Sequence, residues 1–339
     1  MGTADERRDA RRGDEAGRGR RALLRYGAVG GVGAMAPLTR PGVAVADSAD
    51  RGPSKRYARG AARMREIAGE DALATVEALE DIAPDLGRFV VEFGYGDVHA
   101  RPGLDVRQRQ LVSIGALTAA GDTAPQLRFH IGAALHVGLD AAQVVEALIH
   151  LVPFAGFPRT LNALAAARTV FEERGVRIEP IEVEPGGDRY ARGEDKLREV
   201  DGEHGLEVIE SLNDVAPDLG RYIVEFAFGD VYSRPGLDLR QRQLVTLGGL
   251  IAFGDTAPQQ RVHFNAALRV GLSPRQVIET VIQAVPYTGF PRALNAVGVL
   301  RGVFEERGIR PVCGTGTMER MAGRPAHRLG PFARAPGRG

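Results

Sequence analysis

The chain contains itself twice. The run Arg101-Pro-Gly-Leu-Asp105, Arg109-Gln-Leu-Val112, His130 and Phe154-Ala-Gly-Phe-Pro158 returns as Arg234-Pro-Gly-Leu-Asp238, Arg242-Gln-Leu-Val245, His263 and Tyr287-Thr-Gly-Phe-Pro291, displaced by 133 positions throughout. The match runs without a gap from 57–177 onto 190–310, at roughly three-fifths identity. A duplication of this kind predicts one structural unit built twice, and any site present in duplicate.

Strand alternation is almost absent, and apolar residues recur at helical spacing. Arg59 to Asp81 reads as a first helix, with Ile67, Leu73, Val76 and Leu79 inward. Pro84 suits the first turn of a second helix, ending near Gly94–Gly96. Asp105 with Gln108 makes a capping box for a third helix, which Gly121 ends. Thr123 with Gln126 reads as the same device for a fourth, as do Thr256 and Gln259 in the second copy. Asp140 with Gln143, and Ser273 with Gln276, start a fifth. Pro153 interrupts it, and a last helix runs from Arg159 to Arg174 with Gly175 as its C′ residue. The predicted fold is all-α: two tandem six-helix bundles related by internal duplication. The repeats occupy 57–177 and 190–310. Residues 178–189 read as a linker, because Glu179 to Gly187 is too polar and too rich in Pro and Gly to pack.

The ends have a different character. Arg20-Arg21-Ala-Leu-Leu24, a Gly-rich apolar run from Tyr26 to Leu38 and Ala44-Val-Ala46 occur in the order of a twin-arginine export signal. Residues 1–46 are therefore expected to be such a signal, cleaved after Ala46, with 47–56 disordered and the protein exported without a membrane anchor. Residues 311–339, rich in Gly, Pro and Arg, are expected to be a disordered tail. A formal charge of +1 over 339 residues, with no long basic stripe, gives no footprint for nucleic acid. The single cysteine, Cys313, rules out an intramolecular disulfide or a two-thiol redox site within one chain.

Few residues are suited to chemistry, and they come in pairs. His130 and His263 lean toward the apolar side of the fourth helix, where a neutral imidazole can exchange a proton near neutral pH. A buried structural histidine fits the same positions. Arg101 and Arg234 sit in a rigid Arg-Pro-Gly turn, as a two-pronged clamp for a carboxylate or as a tie for their own loop. Gln110 and Gln243 can line the same cavity and orient a substrate, or face solvent. Gly156-Phe-Pro158 and Gly289-Phe-Pro291 place aromatic rings beside a helix start. No His/Glu cluster has metal-ligand spacing, no phosphate loop follows a strand, and no serine nucleophile elbow is present.

Phe93-Gly-Tyr-Gly-Asp-Val-His-Ala-Arg-Pro-Gly-Leu104, Leu127-Arg-Phe-His130 and Phe154-Ala-Gly-Phe-Pro158 resemble the carboxymuconolactone decarboxylase family of the alkylhydroperoxidase-D-like superfamily. Phe226-Ala-Phe-Gly-Asp-Val-Tyr-Ser-Arg-Pro-Gly-Leu237 is closer still. The resemblance covers each repeat from end to end. It implies a compact all-α subunit that assembles in rings, here a trimer mimicking a hexamer. It also implies loss of CO2 from a small carboxylated lactone without cofactor or metal. On that basis His130 and His263 take the proton role, while Arg101, Arg234, Gln110 and Gln243 hold the substrate. The alkylhydroperoxidase branch carries Cys-x-x-Cys four residues before its histidine. Thr123 and Gln126, and Thr256 and Gln259, stand there instead, so a thiol peroxidase lacks its nucleophile. The competing expectation is a non-catalytic oligomer that binds a small molecule.

Overall fold

The computed structural model describes residues 54–179, 181–183 and 186–310. The expected export signal, the expected tail and Cys313 lie outside the described residues. Within them the secondary structure is helical in both copies. The first holds α1 (Lys55–Ala68), α2 (Ala74–Glu77), α3 (Pro84–Phe89), α4 (Val106–Ala120), α5 (Ala124–His136), α6 (Ala141–His150) and α7 (Val152–Glu173). The second holds α8 (Arg189–Asp201), α9 (Glu203–Glu210), α10 (Pro217–Tyr222), α11 (Leu239–Phe253), α12 (Ala257–Arg269) and α13 (Pro274–Glu306).

Several local expectations are corrected. The first helix is broken after Ala68, because Gly69 takes φ 95° and only a residue without Cβ adopts that conformation cheaply. The second helix does not stop at its glycines. After Phe89 it widens into a π-helical segment, Val90–His99, matched by Ile223–Tyr232 in the second copy. Gly96 permits the close approach that this needs, since a Cβ there would lie 2.9 Å from the carbonyl oxygen of Arg56 on α1. Residues 99 and 232 thereby reach the interior.

The boxes read at Asp105, Asp140 and Ser273 form, and Asp238 with Gln241 makes one as well. Those at Thr123 and Thr256 do not. Each hydroxyl instead donates backward to the preceding helix, Thr123 to the Leu117 carbonyl at 2.8 Å and Thr256 to the Leu250 carbonyl at 2.7 Å. The last helix starts earlier than expected. In the first copy the fifth helix ends at His150, shortly before Pro153, whereas in the second it runs on through Pro286; in both a sharp kink follows at Gly156 and Gly289, each at φ 75°. Gly175 does end its helix left-handed, at φ 62°, with the Val176 amide reaching back to the Phe171 carbonyl.

The two copies share one core. Leu111, Val112 and Ile114 of α4 belong to the same buried cluster as Leu244, Val245 and Leu247 of α11. The two helices cross in contact because each carries a glycine at the crossing: a Cβ on Gly115 would meet the Val245 carbonyl oxygen at 2.3 Å, and one on Gly248 would meet that of Val112 at 2.4 Å. Smaller clusters lie at the outer edges, around Met64, Ile67 and Tyr95 in the first copy and around Leu197, Val200 and Phe228 in the second.

Candidate active site

Because α4 and α11 cross at the centre, polar residues along them meet side chains of the other copy. The result is two polar clusters, each completed across the repeat boundary. In the first, His130 on α5 is 4% exposed and its Nδ1 lies 2.8 Å from Gln110 Oε1 on α4. An amide oxygen only accepts, so Nδ1 carries the proton and Nε2 keeps its lone pair. Burial pushes the ring's pKa down to about 3, which keeps it neutral at physiological pH.

His99, at the end of the π-helical segment, lies parallel to His130 with ring centroids 6.1 Å apart. Its Nε2 is 2.9 Å from the Tyr287 hydroxyl and 2.8 Å from Gln283 Nε2, both from the second copy. Burial, together with the nearby cations of Arg109 and Arg63, holds His99 well below the ordinary imidazole range. Tyr287 also meets the His130 ring edge-on at 5.0 Å, and Phe129 does so at 5.3 Å. Burial raises the Tyr287 phenol.

Beneath these rings Arg109 is fully buried. It donates to Gln283 Oε1 at 2.8 Å and to the Arg101 carbonyl at 2.6 Å, and it lies 3.5 Å from Glu279. The second cluster repeats the plan with other side chains. His263 Nδ1 lies 3.1 Å from Gln243 Oε1, and burial takes its pKa down to about 4. Tyr232, His150 and Phe154 stand where the first cluster has His99, Gln283 and Tyr287. Arg242 is again fully buried, 3.3 Å from His150 Nδ1.

The structure joins His130 to Gln110, and His263 to Gln243. The glutamines are buried and orient the rings; they do not face solvent. The arginines of the turn are placed differently from expectation. Arg101 is gripped by both oxygens of Glu279 on α13, and Arg234 by both of Glu146 on α6. A clamp for an external carboxylate is thus already filled by an internal one. Two cavities open elsewhere, a cleft of about 370 Å³ bounded by Tyr57, Glu80 and Arg88 and a small one of about 20 Å³ beside Thr123 and Arg159; neither is lined by His130 or His263. Among the described residues no group of three or more His, Cys, Asp or Glu is arranged to hold a metal ion.

Sequence reading missed His99, Arg109, Glu279, Gln283 and their counterparts. The signal was available. Glu146 and Glu279 occupy equivalent places and are identical, as are Arg109 and Arg242, so each copy retains the same charge at the same position.

The sequence profile of the carboxymuconolactone decarboxylase family matches residues 84–169 and, again, 217–302. The chain belongs to this family. It is 36% identical over 124 residues to 4-carboxymuconolactone decarboxylase of Acinetobacter baylyi, covering 36% of this chain and 92% of that protein. It is 38% identical over 76 residues to nitrosuccinic acid decarboxylase of Metarhizium robertsii, covering 22% of this chain and 52% of that one. A solved structure described as a gamma-carboxymuconolactone decarboxylase subunit from Burkholderia xenovorans aligns at 21% identity and a TM-score of 0.47, over 74% of this chain and 98% of that one. At the level of the family, the decarboxylase relatives and the duplicated all-α unit place this protein among decarboxylase-like proteins.

Proposed function

We propose that the protein is a cofactor-independent decarboxylase acting on a small carboxylated lactone or a related cyclic acid. The observation that carries this reading is the His130–Gln110 pair: a buried neutral imidazole with Nδ1–H held by an amide oxygen and the Nε2 lone pair left over. The relatives that share this family and are named decarboxylases support it.

In the proposed reaction the substrate enters as the neutral acid, which desolvation favours. His130 Nε2 takes the carboxyl proton as the bond to CO2 breaks. The electron pair passes into the conjugated lactone, and the same proton returns to the ring carbon. Protons and electrons balance, so the steps call for neither an oxidant nor a reductant. Tyr287 and Phe129 cover the His130 ring edge-on, so a ligand reaches it by displacing one of them. The reading is tested by measuring CO2 release from a panel of lactone and keto acids, with and without the His130→Ala substitution. A purely binding role is the competing reading, favoured by the burial of both imidazoles; it predicts ligand uptake with no CO2.

The same reading includes self-assembly. Phe157 and Leu161, and equivalently Phe290 and Leu294, are each about 60% exposed or more. Apolar faces repeated in both copies suit burial against further copies of the chain.

A further inference from the structure

The duplicated clusters differ in how completely they satisfy themselves. In the second, Gln243 Nε2 donates to the Tyr232 hydroxyl at 3.3 Å, and that hydroxyl lies 3.5 Å from Thr246 Oγ1. The amide that orients His263 is therefore used at both ends. In the first cluster a histidine, His99, replaces that tyrosine. Gln110 Oε1 still holds His130, but Gln110 Nε2 has no partner, and neither has His99 Nδ1. Both side chains are at least 99% buried.

The hydrogen-bond network fixes the tautomer of His99. Gln283 Oε1 accepts from Arg109, so its Nε2 is the end that donates to Ser113 and faces His99 Nε2. His99 Nε2 must then be an acceptor, and the ring proton sits on Nδ1. Gln110 Nε2 is the amide donor left over, since Oε1 is the end of that amide that meets His130 Nδ1. Two buried N–H groups that should each find an acceptor thus stand beside the His130 ring. In the second cluster the equivalent of this gap is filled by the protein's own phenol.

We infer that Gln110 Nε2 and His99 Nδ1 form a donor pair for the ring-carbonyl oxygen of a carboxylated lactone, and that the second cluster is closed to the same ligand by Tyr232. This deepens the decarboxylase reading and rests on it. When the bond to CO2 breaks, its electron pair moves through the conjugated ring onto that carbonyl oxygen. Preorganised N–H donors stabilise charge developing there, as in any oxyanion site. His130 returns the carboxyl proton to carbon, so the net change is a neutral acid converted to CO2 and a neutral lactone with a new C–H bond, without oxidation or reduction. Each chain therefore carries one reactive centre and one structural copy of it.

Tetronate tests this directly, being a five-membered lactone that is a stable enolate at neutral pH and so mimics the charge on oxygen. The full chain, labelled with ¹⁵N-histidine, is titrated with tetronate by calorimetry and by NMR. One equivalent per chain, with ring-nitrogen shifts at His99 and His130 and none at His150 or His263, is the expected result. His99→Tyr places in the first cluster the residue that the fold already accommodates in the second, and should weaken binding at least tenfold. Two equivalents per chain, shifts at His263, no binding, or unchanged affinity in His99→Tyr would each overturn the inference. Failure of the decarboxylase reading is distinguishable: tetronate would bind as described, while no lactone acid released CO2.

Discussion

Glu279 grips the Arg101 guanidinium with both carboxylate oxygens, although 178 positions of sequence separate them. The carboxylate also lies 3.5 Å from Arg109, whose side chain is fully buried. Glu146 repeats the arrangement with Arg234 and Arg242. Glu279→Gln removes the negative charge that offsets a buried guanidinium. Leaving such a charge unpaired costs about 3 kcal/mol or more. Urea unfolding should show that loss, whereas Arg101→Lys, with half of its side chain toward solvent, should cost far less.

The helix crossing gives a second test. A methyl group on Gly115 cannot fit against the Val245 carbonyl oxygen at 2.3 Å without moving α11. Gly115→Ala should destabilise by about 3 kcal/mol, as overpacked cores do. Gly298 lies inside α13 with no atom near the position of an added Cβ, so Gly298→Ala should stabilise by about 0.5 kcal/mol through helix propensity alone. Opposite signs from one substitution type, read by thermal melting, would confirm that the crossing is set by backbone contact.

Buried neutral histidines make stability depend on pH. Burial lowers His130 to about 3 and His263 to about 4, and drives His99 and His150 well below the ordinary value of 6.5. The unfolded chain binds protons at these rings below pH 6.5, and the folded chain does not. Stability therefore rises with pH between about 4 and 6.5, and each such ring costs about 2 kcal/mol at pH 5. Asp201 opposes the trend, since burial raises its carboxyl to about 7 and its contribution falls as pH rises toward that value. The histidines outnumber it. The melting temperature should drop by roughly 10 °C between pH 7.5 and pH 5.

Assembly is checked at the exposed apolar faces. Phe290→Glu introduces a charge at a ring that is 60% exposed beside Phe93, 5.7 Å away. Sedimentation should show a smaller species than for the unsubstituted chain, with the helical content unchanged.

The helices and their duplication were legible because they rest on local chemistry. Asp105 with Gln108, the turn glycines and the 3.6-residue spacing each act within a few positions. His130 and Gln110 were legible as candidates because both copies carry them. Their mutual bond was not, since it depends on how α4 packs against α5. The cross-repeat residues were harder still. His99 and His150 differ from their counterparts Tyr232 and Gln283, and read alone they look like drift. Only the crossing of α4 and α11 shows that these positions face the other copy, so that a histidine from one repeat meets a glutamine or tyrosine from the other. The Arg-Pro-Gly turn misled for the same reason. Its arginine is suited to a carboxylate, and the carboxylate it holds belongs to the protein.

CO2 release from lactone acids by the chelator-treated full chain, compared with His130→Ala, bears most directly on the account. It predicts release that survives chelation and falls by about 10²-fold or more in the variant, in keeping with the loss of a positioned proton-transfer group. No release from any such acid, or release that the substitution leaves intact in a folded protein, would contradict it.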